Sequence, residues 1–523
     1  MKAFPIGLST IEKISLGNFY YVDKTAFIET LTKEGQYYFL ARPRRFGKSL
    51  LLDTLKQAFL GNRAAFTGLY LEHHWDWENQ YPVIHLSFAS NQLENNASTF
   101  KEKIASLLEQ EALTHGISLR GHLYSVQFSH LIYDIREKYH KPVVILVDEY
   151  DKPILDVMTN TPLATEIRDI LRSFYSVIKE HDHNIQFVFL TGVSKFSKAG
   201  VFSGLNNLND ITYHPKYATI CGYTQHELET TFQEHLTPED LPQIKAWYNG
   251  YYFLGDEGVY NPFSILNFFD RGKLYSNYWF STGTPTFLIN LIQQKNFYTP
   301  RLEKLEVTEN SLQQFDIDQL PIATLLLQTG YLTVTKVHRV GTLTYYVLSY
   351  PNLEVKQSLN DCLAEGYVSS EIKNDTYLAI QDAFSRGEFD RIKTIFTSLF
   401  ASIPHHWYRN NHIQAYEGFY CAIVYTYFMG LGYTAIAEDT TSQGQIDLTL
   451  MLDNSIVIME FKLTTQQNTR SALEQIKAKK YAEKYLSHNK PIYLLGLSFN
   501  PEQRNMQECV FEPFAIGLAK HND

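Results

Sequence analysis

The segment with the clearest chemical potential is an octapeptide at residues 42–49, which reads Arg-Pro-Arg-Arg-Phe-Gly-Lys-Ser. It follows a short apolar run at 37–40 and precedes a segment, 50–55, that is apolar at helical spacing. A strand, a tight turn and a helix in that order bind phosphate, because backbone N–H groups at the helix N-terminus face the anion. We therefore expect Lys48 to reach the β- and γ-phosphates of a nucleotide and the Ser49 hydroxyl to ligate Mg²⁺.

The octapeptide departs from the generic phosphate-loop pattern at its first residue. That pattern asks for glycine at position 42 as well as at Gly47, and the chain has Arg42 there. A basic turn whose arginines pair with surface carboxylates is the alternative interpretation. If the segment is a phosphate loop, ATP contacts a continuous stretch of it: Arg44, Arg45, Phe46, Gly47, Lys48, Ser49 and Leu50.

A second candidate segment is an apolar run that ends in carboxylates. Residues 143–147 are all aliphatic and are typical of a fully buried parallel strand. Because ligands of open α/β sheets bind at the carboxyl ends of strands, we expect Asp148 and Glu149 at the ligand edge. Asp148 would hold Mg²⁺ through water, and Glu149 would orient and deprotonate the attacking water. A strand that ends in solvated acids is the simpler alternative.

A third apolar run, residues 185–190, leads to a polar strand end. Thr191 or Ser194 could sense the γ-phosphate there, although a plain turn would have the same composition. Strands that alternate with helices from residue 37 to 190 predict an α/β fold with a doubly wound parallel sheet.

Together these segments resemble the bacterial AAA-ATPase-like family, and also archaeal ATPases with paired arginines in the phosphate loop. The likeness covers about residues 1–290 and rests on motifs at 42–49, 147–153, 191–198, 202–212 and 248–251. The resemblance implies an ATPase core at residues 1–221 and a helical lid at 222–300. Arg42 is a departure that the family shares.

The middle of the chain predicts a distinct unit. Residues 322–329 form an apolar helical segment, and apolar segments at 332–337 and 343–348 flank a turn as in a β-hairpin. A helix followed by a β-ribbon predicts a winged-helix-like unit at 301–371, which can bind duplex DNA or act as a lid on the nucleotide. Its few basic residues favour the packing role. Residues 372–404 are predicted to be a helical connector.

The C-terminal part carries a second set of chemically competent residues. Glu417 lies in a predicted helix, Asp447 in a predicted strand, and Glu460 and Lys462 in the partner strand, where alternation puts them on one face. Two carboxylates beside a lysine suit Mg²⁺ or Mn²⁺, and Lys462 would stabilise the hydroxide or the transition state of phosphodiester cleavage. Glu417 could extend the site, and Gln475 on the next helix could contact the DNA backbone. A solvated amphipathic hairpin is the alternative.

The order of these elements resembles the PD-(D/E)xK nuclease domain over about residues 405–510. Gly-Gln-Ile-Asp at 444–447, Glu-Phe-Lys at 460–462 and Gln475 match its motif, whereas the proline of the name is replaced by Ile446. The resemblance implies a restriction-endonuclease-like α/β domain at 405–523, with DNA as the partner.

The composition narrows the class of protein. Hydrophobic residues make up 44% of the chain, which indicates packed cores, and the net charge of −10 counts against a large DNA-binding surface without excluding a local groove. The four cysteines are far apart, which argues against a zinc site or a disulfide framework. Because the sequence has no long apolar run and no signal-peptide pattern, we expect a cytoplasmic protein that does not enter a membrane. A homo-oligomer is left open.

These observations predict an ATPase fused to a Mg²⁺-dependent DNA nuclease, with cleavage under nucleotide control. One alternative is a nucleotide-gated switch that binds DNA or protein through a catalytically silent nuclease fold. Another is an active nuclease whose ATPase domain is a static scaffold.

Overall fold

The computed structural model describes residues 2–89, 96–195, 201–202, 204–280, 286–295, 297–313, 321–404, 417–464 and 472–514. Parts of three sequence predictions lie outside the described residues, namely 196–198, 203 and 415–416. The chain forms two compact units. Residues 1–282 and 304–354 belong to the first unit, and residues 283–303 and 355–523 belong to the second.

Helices and strands alternate along much of the chain. The described helices are α1 (Ile11–Leu16), α2 (Ala26–Glu34), α3 (Lys48–Phe59), α4 (Ala97–Thr114), α5 (Tyr124–Tyr139), α6 (Lys152–Leu155), α7 (Thr161–Glu180), α8 (Gln225–Thr231), α9 (Leu241–Tyr248), α10 (Pro262–Asp270), α11 (Thr286–Gln294), α12 (Glu309–Gln313), α13 (Ile322–Thr329), α14 (Leu353–Tyr367), α15 (Ser370–Arg386), α16 (Arg391–Ser402), α17 (Glu417–Gly430) and α18 (Ala472–Ala478). The described strands are β1 (Tyr37–Ala41), β2 (Val83–Ser87), β3 (Val143–Asp148), β4 (Ile185–Gly192), β5 (Asn209–Asp210), β6 (Leu305–Thr308), β7 (Thr333–Val340), β8 (Leu343–Ser349), β9 (Thr434–Thr441), β10 (Gly444–Met451), β11 (Ile456–Leu463), β12 (Ile492–Asn500) and β13 (Asn505–Pro513).

The first unit is built on a parallel sheet with strand order β2-β3-β4-β1-β5. Every residue of β1 and β3 is buried, as expected for parallel strands that are covered on both faces. The α/β fold class predicted from the apolar runs is therefore confirmed. The order of the sheet places β4 between β1 and β3, so the carboxyl ends of these three strands lie side by side.

A helical part follows the sheet in the first unit. Helix α8 begins with a capping box, in which Thr224 and Glu227 satisfy each other's backbone N–H groups. Helices α8 to α10 surround an aromatic core that includes Tyr20, Phe232 and Tyr248. The Tyr248 side chain is thus part of the core.

The helix and β-hairpin predicted for the middle of the chain are present in the first unit. Helix α13 ends at Gly330, whose φ of +90° is the left-handed conformation of a helix C-cap. Strands β7 and β8 pair as an antiparallel hairpin, and β6 adds a third strand in the order β6-β8-β7. The sequence analysis missed β6, a strand of four residues that stands apart from the hairpin in sequence.

The second unit contains a mixed sheet with strand order β13-β12-β11-β10-β9. Strands β11 and β12 are parallel and the other neighbouring pairs are antiparallel. Apolar residues of α15, α16 and α17 form one core cluster with the sheet, and those of α18 contribute to another. None of the described helices is long and apolar enough to cross a membrane.

Candidate functional sites

The predicted phosphate loop connects the end of β1 to the start of α3. Gly47 has a φ of +91° and Arg45 a φ of +65°, so the chain turns sharply through two left-handed residues before the helix begins. Left-handed backbone is unusual for a residue other than glycine and concentrates at functional sites. The turn leaves the backbone N–H groups of the first turn of α3 at the loop.

Lys48 and Ser49, the first two residues of α3, both make hydrogen bonds within the protein. The Lys48 ammonium is buried and donates to the carbonyl oxygens of Arg42 at 2.9 Å and Pro43 at 3.0 Å. Burial lowers the pKa of Lys48, although nearby carboxylates, Asp148 foremost, act in the opposite direction. The Ser49 hydroxyl donates to Asp148 Oδ2 at 2.6 Å. The loop and the end of β3 are therefore in direct contact.

The ends of β3 and β4 also meet as the topology requires. The Thr191 hydroxyl donates to Asp148 Oδ1 at 2.7 Å, so Asp148 bridges Thr191 and Ser49. Glu149 follows with a φ of +51°. Burial, followed by the charge of Asp148, raises the pKa of Glu149. The structure thus brings together the lysine, the hydroxyls and the carboxylates that the sequence singled out.

Ser194, the other candidate for a γ-phosphate sensor, is held elsewhere. Its backbone N–H donates to Asp151 Oδ2 at 2.6 Å, and its hydroxyl donates to the same oxygen. Asp151 is fully buried, and burial raises its pKa despite these hydrogen bonds. Thr191, rather than Ser194, is therefore the residue that contacts the phosphate-loop machinery.

Arg42 explains why the loop departs from the generic pattern. Its side chain is 1% exposed, and its guanidinium donates to the carbonyl oxygens of Ala41, Thr212 and Tyr217 at 2.7–3.0 Å. The same group lies 3.7 Å from the centre of the Phe253 ring. Burial lowers the pKa of Arg42 to about 10, so it stays cationic at neutral pH. The partners of Arg42 are thus backbone carbonyl groups and not the surface carboxylates of the alternative interpretation.

The remaining loop residues divide between surface and core. Arg44 and Arg45 are exposed, and the Arg45 guanidinium lies 5.0 Å from the centre of the Phe263 ring on α10. Phe46 is buried and packs edge-on against Tyr251 at 4.8 Å between ring centres. Leu50 is half-buried on α3. Only the exposed arginines therefore have side chains free to approach a ligand from solvent.

A cavity of about 390 Å³ adjoins the phosphate loop and Glu149. Its volume falls within the range of small-molecule binding sites. A second wall includes Tyr21 and Val22 of the N-terminal segment, Tyr223, and Phe263 of α10. Sequence reasoning could not find this wall, because it joins segments that are far apart in the chain.

In the second unit, β10 leaves its partner strand at the candidate nuclease site. The ladder between β10 and β11 ends at the pair Leu448 and Met459. Beyond it, Asp447 Oδ2 accepts the backbone N–H of Phe461 at 2.8 Å, in place of a backbone carbonyl. The strand separation therefore turns the Asp447 carboxylate towards the centre of β11.

Glu460, Lys462, Glu417 and Gln475 meet beside Asp447. Lys462 Nζ lies 3.4 Å from Glu460 Oε1 and 3.5 Å from Glu417 Oε2. Gln475 on α18 donates to Glu460 Oε1. Glu460 is 1% exposed, and its other oxygen, Oε2, has no hydrogen-bond partner in the described part of the chain. All five residues selected from the sequence thus lie in one neighbourhood.

Burial and charged neighbours shift the pKa values of the ionisable side chains at this site. Burial, followed by the charge of Asp447, raises the pKa of Glu460 to about 8. Burial also raises the pKa of Asp447. Burial opposes the charge on Lys462, but the carboxylates of Glu417, Glu460 and Asp447 outweigh it and raise the lysine pKa.

These residues fit a divalent cation in their chemistry. Carboxylate oxygens are the ligands that Mg²⁺ and Mn²⁺ prefer, and the buried, unpartnered Oε2 of Glu460 is free to bind one. Among residues that the structure describes, however, no three histidine, cysteine or acidic side chains are already arranged around a single metal position.

Comparison with known proteins gives matches in both units. Residues 5–202 match a family model described as "Predicted AAA-ATPase", and residues 415–509 match the PD-(D/E)XK nuclease superfamily. The chain is 43% identical over 514 residues to a protein of Azotobacter chroococcum mcd 1, described as an uncharacterized protein in the vnfD 5' region. That similarity covers 98% of this chain and 99% of the relative. The two chains therefore share the same arrangement from end to end.

Proposed function

The chain belongs to a family in which a predicted AAA-ATPase-like domain precedes a PD-(D/E)XK nuclease superfamily domain, and from this premise we propose that it couples two hydrolytic activities. The first unit hydrolyses ATP. The second cleaves phosphodiester bonds of DNA with Mg²⁺ or Mn²⁺, under the control of the bound nucleotide. The observation that carries the proposal is the cluster of Asp447, Glu460 and Lys462, in which a buried carboxylate oxygen has no partner.

At the first site the proposed roles follow from the contacts. Lys48 leaves the loop carbonyl groups and binds the phosphates of ATP, which lie at the N-terminus of α3. Ser49 and Asp148, already hydrogen-bonded to each other, would hold a Mg²⁺ that neutralises phosphate charge. Glu149 orients the attacking water and accepts its proton, a task that suits a carboxylate whose pKa burial has raised. Thr191 keeps Asp148 in place.

At the second site the proposed chemistry is cleavage of a phosphodiester. Asp447 and Glu460 would hold the divalent cation, which supplies charge neutralisation and an activated water when it is bound. Lys462 stabilises the negative charge that develops on the phosphorus oxygens. Gln475 orients Glu460 through its hydrogen bond, and Glu417 holds Lys462 from the other side.

Two pairs of variants test these assignments. Lys48→Ala should lose ATP hydrolysis, whereas Lys56→Ala, two turns further along α3, should retain it. Asp447→Ala should lose DNA cleavage, whereas Asp453→Ala, in the exposed turn between β10 and β11, should retain it. Hydrolysis that survives Lys48→Ala would sink the first assignment, and cleavage that survives Asp447→Ala would sink the second.

The nuclease assay uses linear, circular and single-stranded DNA with Mg²⁺ or Mn²⁺, each with and without ATP. Cleavage that depends on ATP supports nucleotide control. Equal cleavage with and without ATP, together with no measurable ATP hydrolysis, would instead favour a nuclease on a static scaffold.

A nucleotide-gated switch with a silent nuclease fold is the second candidate function. It is favoured by the lack of a ready-made metal arrangement among the described residues. No cleavage of any DNA form by the wild-type chain would support it. The main proposal, in contrast, also includes the domain boundaries given above and the binding of DNA by the C-terminal domain.

A further inference from the structure

Strands β9 and β10 change faces together at one point in the second unit. Residues two apart on a regular strand share a face. Ile446 nevertheless packs in one core cluster, with Ile458, and Leu448 packs in the cluster on the opposite side of β11, with Val457. The change of face falls on the residue between them, Asp447.

Glu438 is the residue of β9 that stands opposite Asp447. The register pairs Ile446 with Asp439 and Leu448 with Ala437, which leaves Glu438 facing Asp447 without a ladder pair of its own. Glu438 has a φ of +51°, the left-handed region that residues other than glycine rarely adopt. Strand irregularities of this kind often re-aim a side chain beside an active site. The left-handed residue Glu438 therefore lies at the point where the ladder beside Asp447 is interrupted.

The carboxylate of Glu438 is available to a ligand. It is exposed, and in the described part of the chain it has neither an ion pair nor a hydrogen bond. Its neighbour Asp439, in contrast, accepts hydrogen bonds from Tyr485, Lys484 and Thr449.

An independent observation indicates that a cation belongs here. Glu460 Oε2 is buried and has no partner among the described residues. Lys462 Nζ lies 3.4 Å from the other oxygen of Glu460, Oε1, and 3.5 Å from Glu417 Oε2. Adding the charge of Glu438 increases the excess of negative charge that a divalent cation would neutralise.

We propose that Glu438 joins Asp447 in binding a divalent cation at the second site. The left-handed backbone turns both residues out of the β9–β10 ladder, and their carboxylates then approach one cation from adjacent strands. Both residues stand between the ladder pairs Ile446–Asp439 and Leu448–Ala437, so their backbones are one strand spacing apart. This inference rests on the proposed function, because it assumes a cation at Asp447 and Glu460.

The test is a titration of the full chain with Mn²⁺, followed by electron paramagnetic resonance, without nucleotide or DNA. Asp447→Asn should abolish binding of the cation at this site. Glu438→Gln should raise the Kd of the same cation by about tenfold, a typical effect of removing a supporting carboxylate. Glu438→Gly should raise it as much, although glycine relieves the positive φ. Glu508→Gln, an exposed position on β13 at the other edge of the sheet, is the matched control and should bind as the wild type does.

The outcomes separate the two levels of inference. If Asp447→Asn loses the cation but both Glu438 variants bind it with wild-type affinity, Glu438 has no role in binding and only this inference falls. If Asp447→Asn itself binds the cation normally, the proposed nuclease site is wrong. Thermal melting of each variant confirms folding, which an exposed Glu438 side chain should not disturb.

Discussion

Replacing Glu460 by glutamine should remove a pH-dependent instability from the metal-free protein. Glu460 is 1% exposed, and burial followed by the charge of Asp447 raises its pKa to about 8 from an ordinary value of 4.5. The folded state therefore binds this proton more tightly than the unfolded state does. Its contribution to stability is complete below about pH 4.5 and is lost as the pH rises through 8.

The size of this loss of stability follows from the difference between the pKa values of Glu460 in the folded and unfolded states. Each pKa unit corresponds to about 1.4 kcal/mol, so the change from 4.5 to about 8 sets an upper limit of about 5 kcal/mol on the stability lost. For a unit of this size, 1 kcal/mol shifts the Tm by about 2–4 °C. The upper limit thus corresponds to a shift in Tm on the order of 10 °C.

The assay is calorimetry of the full chain in EDTA at about pH 5 and pH 9, on either side of the Glu460 transition. The Tm of the second unit should fall further from the lower to the higher pH in the wild type than in Glu460→Gln. Mg²⁺ at the higher pH should recover the wild type, because it pairs with the ionised carboxylates, and should not recover the variant to the same extent. If the Tm values of the two proteins depend on pH in the same way in EDTA, the reasoning is refuted, because Glu460 would then already be ionised at the lower pH.

Three further substitutions test the first unit. Arg42→Gly restores the generic loop pattern, yet it should lower the free energy of unfolding by about 3–6 kcal/mol, because buried carbonyl groups lose charged donors. An unchanged free energy of unfolding in urea would contradict this expectation. Thr191→Val should lower kcat for ATP about tenfold, because Asp148 loses a hydrogen bond worth about 1.5 kcal/mol to a charged group. A change confined to KM would count against it. Trp279 donates its indole N–H to the carbonyl of Arg44 at 3.1 Å, so Trp279→Phe should abolish a fluorescence change on nucleotide binding. A change that persists in the variant would show that the signal has another source.

Local patterns made much of the fold predictable. Five aliphatic residues before Asp148 define a buried strand whatever surrounds them, and the alternation around Glu460 and Lys462 gives their shared face. The order of the sheet then brings Asp148 to Thr191 without further information from the sequence. For such residues, the period of the strand and the rule that ligands bind at strand ends were sufficient.

Other features depend on partners that are distant in the chain. Arg42 looks like a surface arginine in the sequence, and only the carbonyl groups of Thr212 and Tyr217 make it a core residue. Thr191 and Ser194 have the same chemistry, and the buried Asp151 decides between them by holding Ser194. The type of a side chain does not determine which backbone group it contacts after folding, so these roles could not be predicted from the sequence.

The hydrogen bonds of Lys48 and Ser49 have a consequence for ligand discrimination. Any anion that enters the loop must compete with two carbonyl oxygens for the Lys48 ammonium. Free phosphate can do this, but it brings no cation to pair with Asp148 in place of the Ser49 hydroxyl. A metal–nucleotide complex can exchange both partners at once, so we expect the loop to stay closed to the abundant small anions of a cell and to open for the complex.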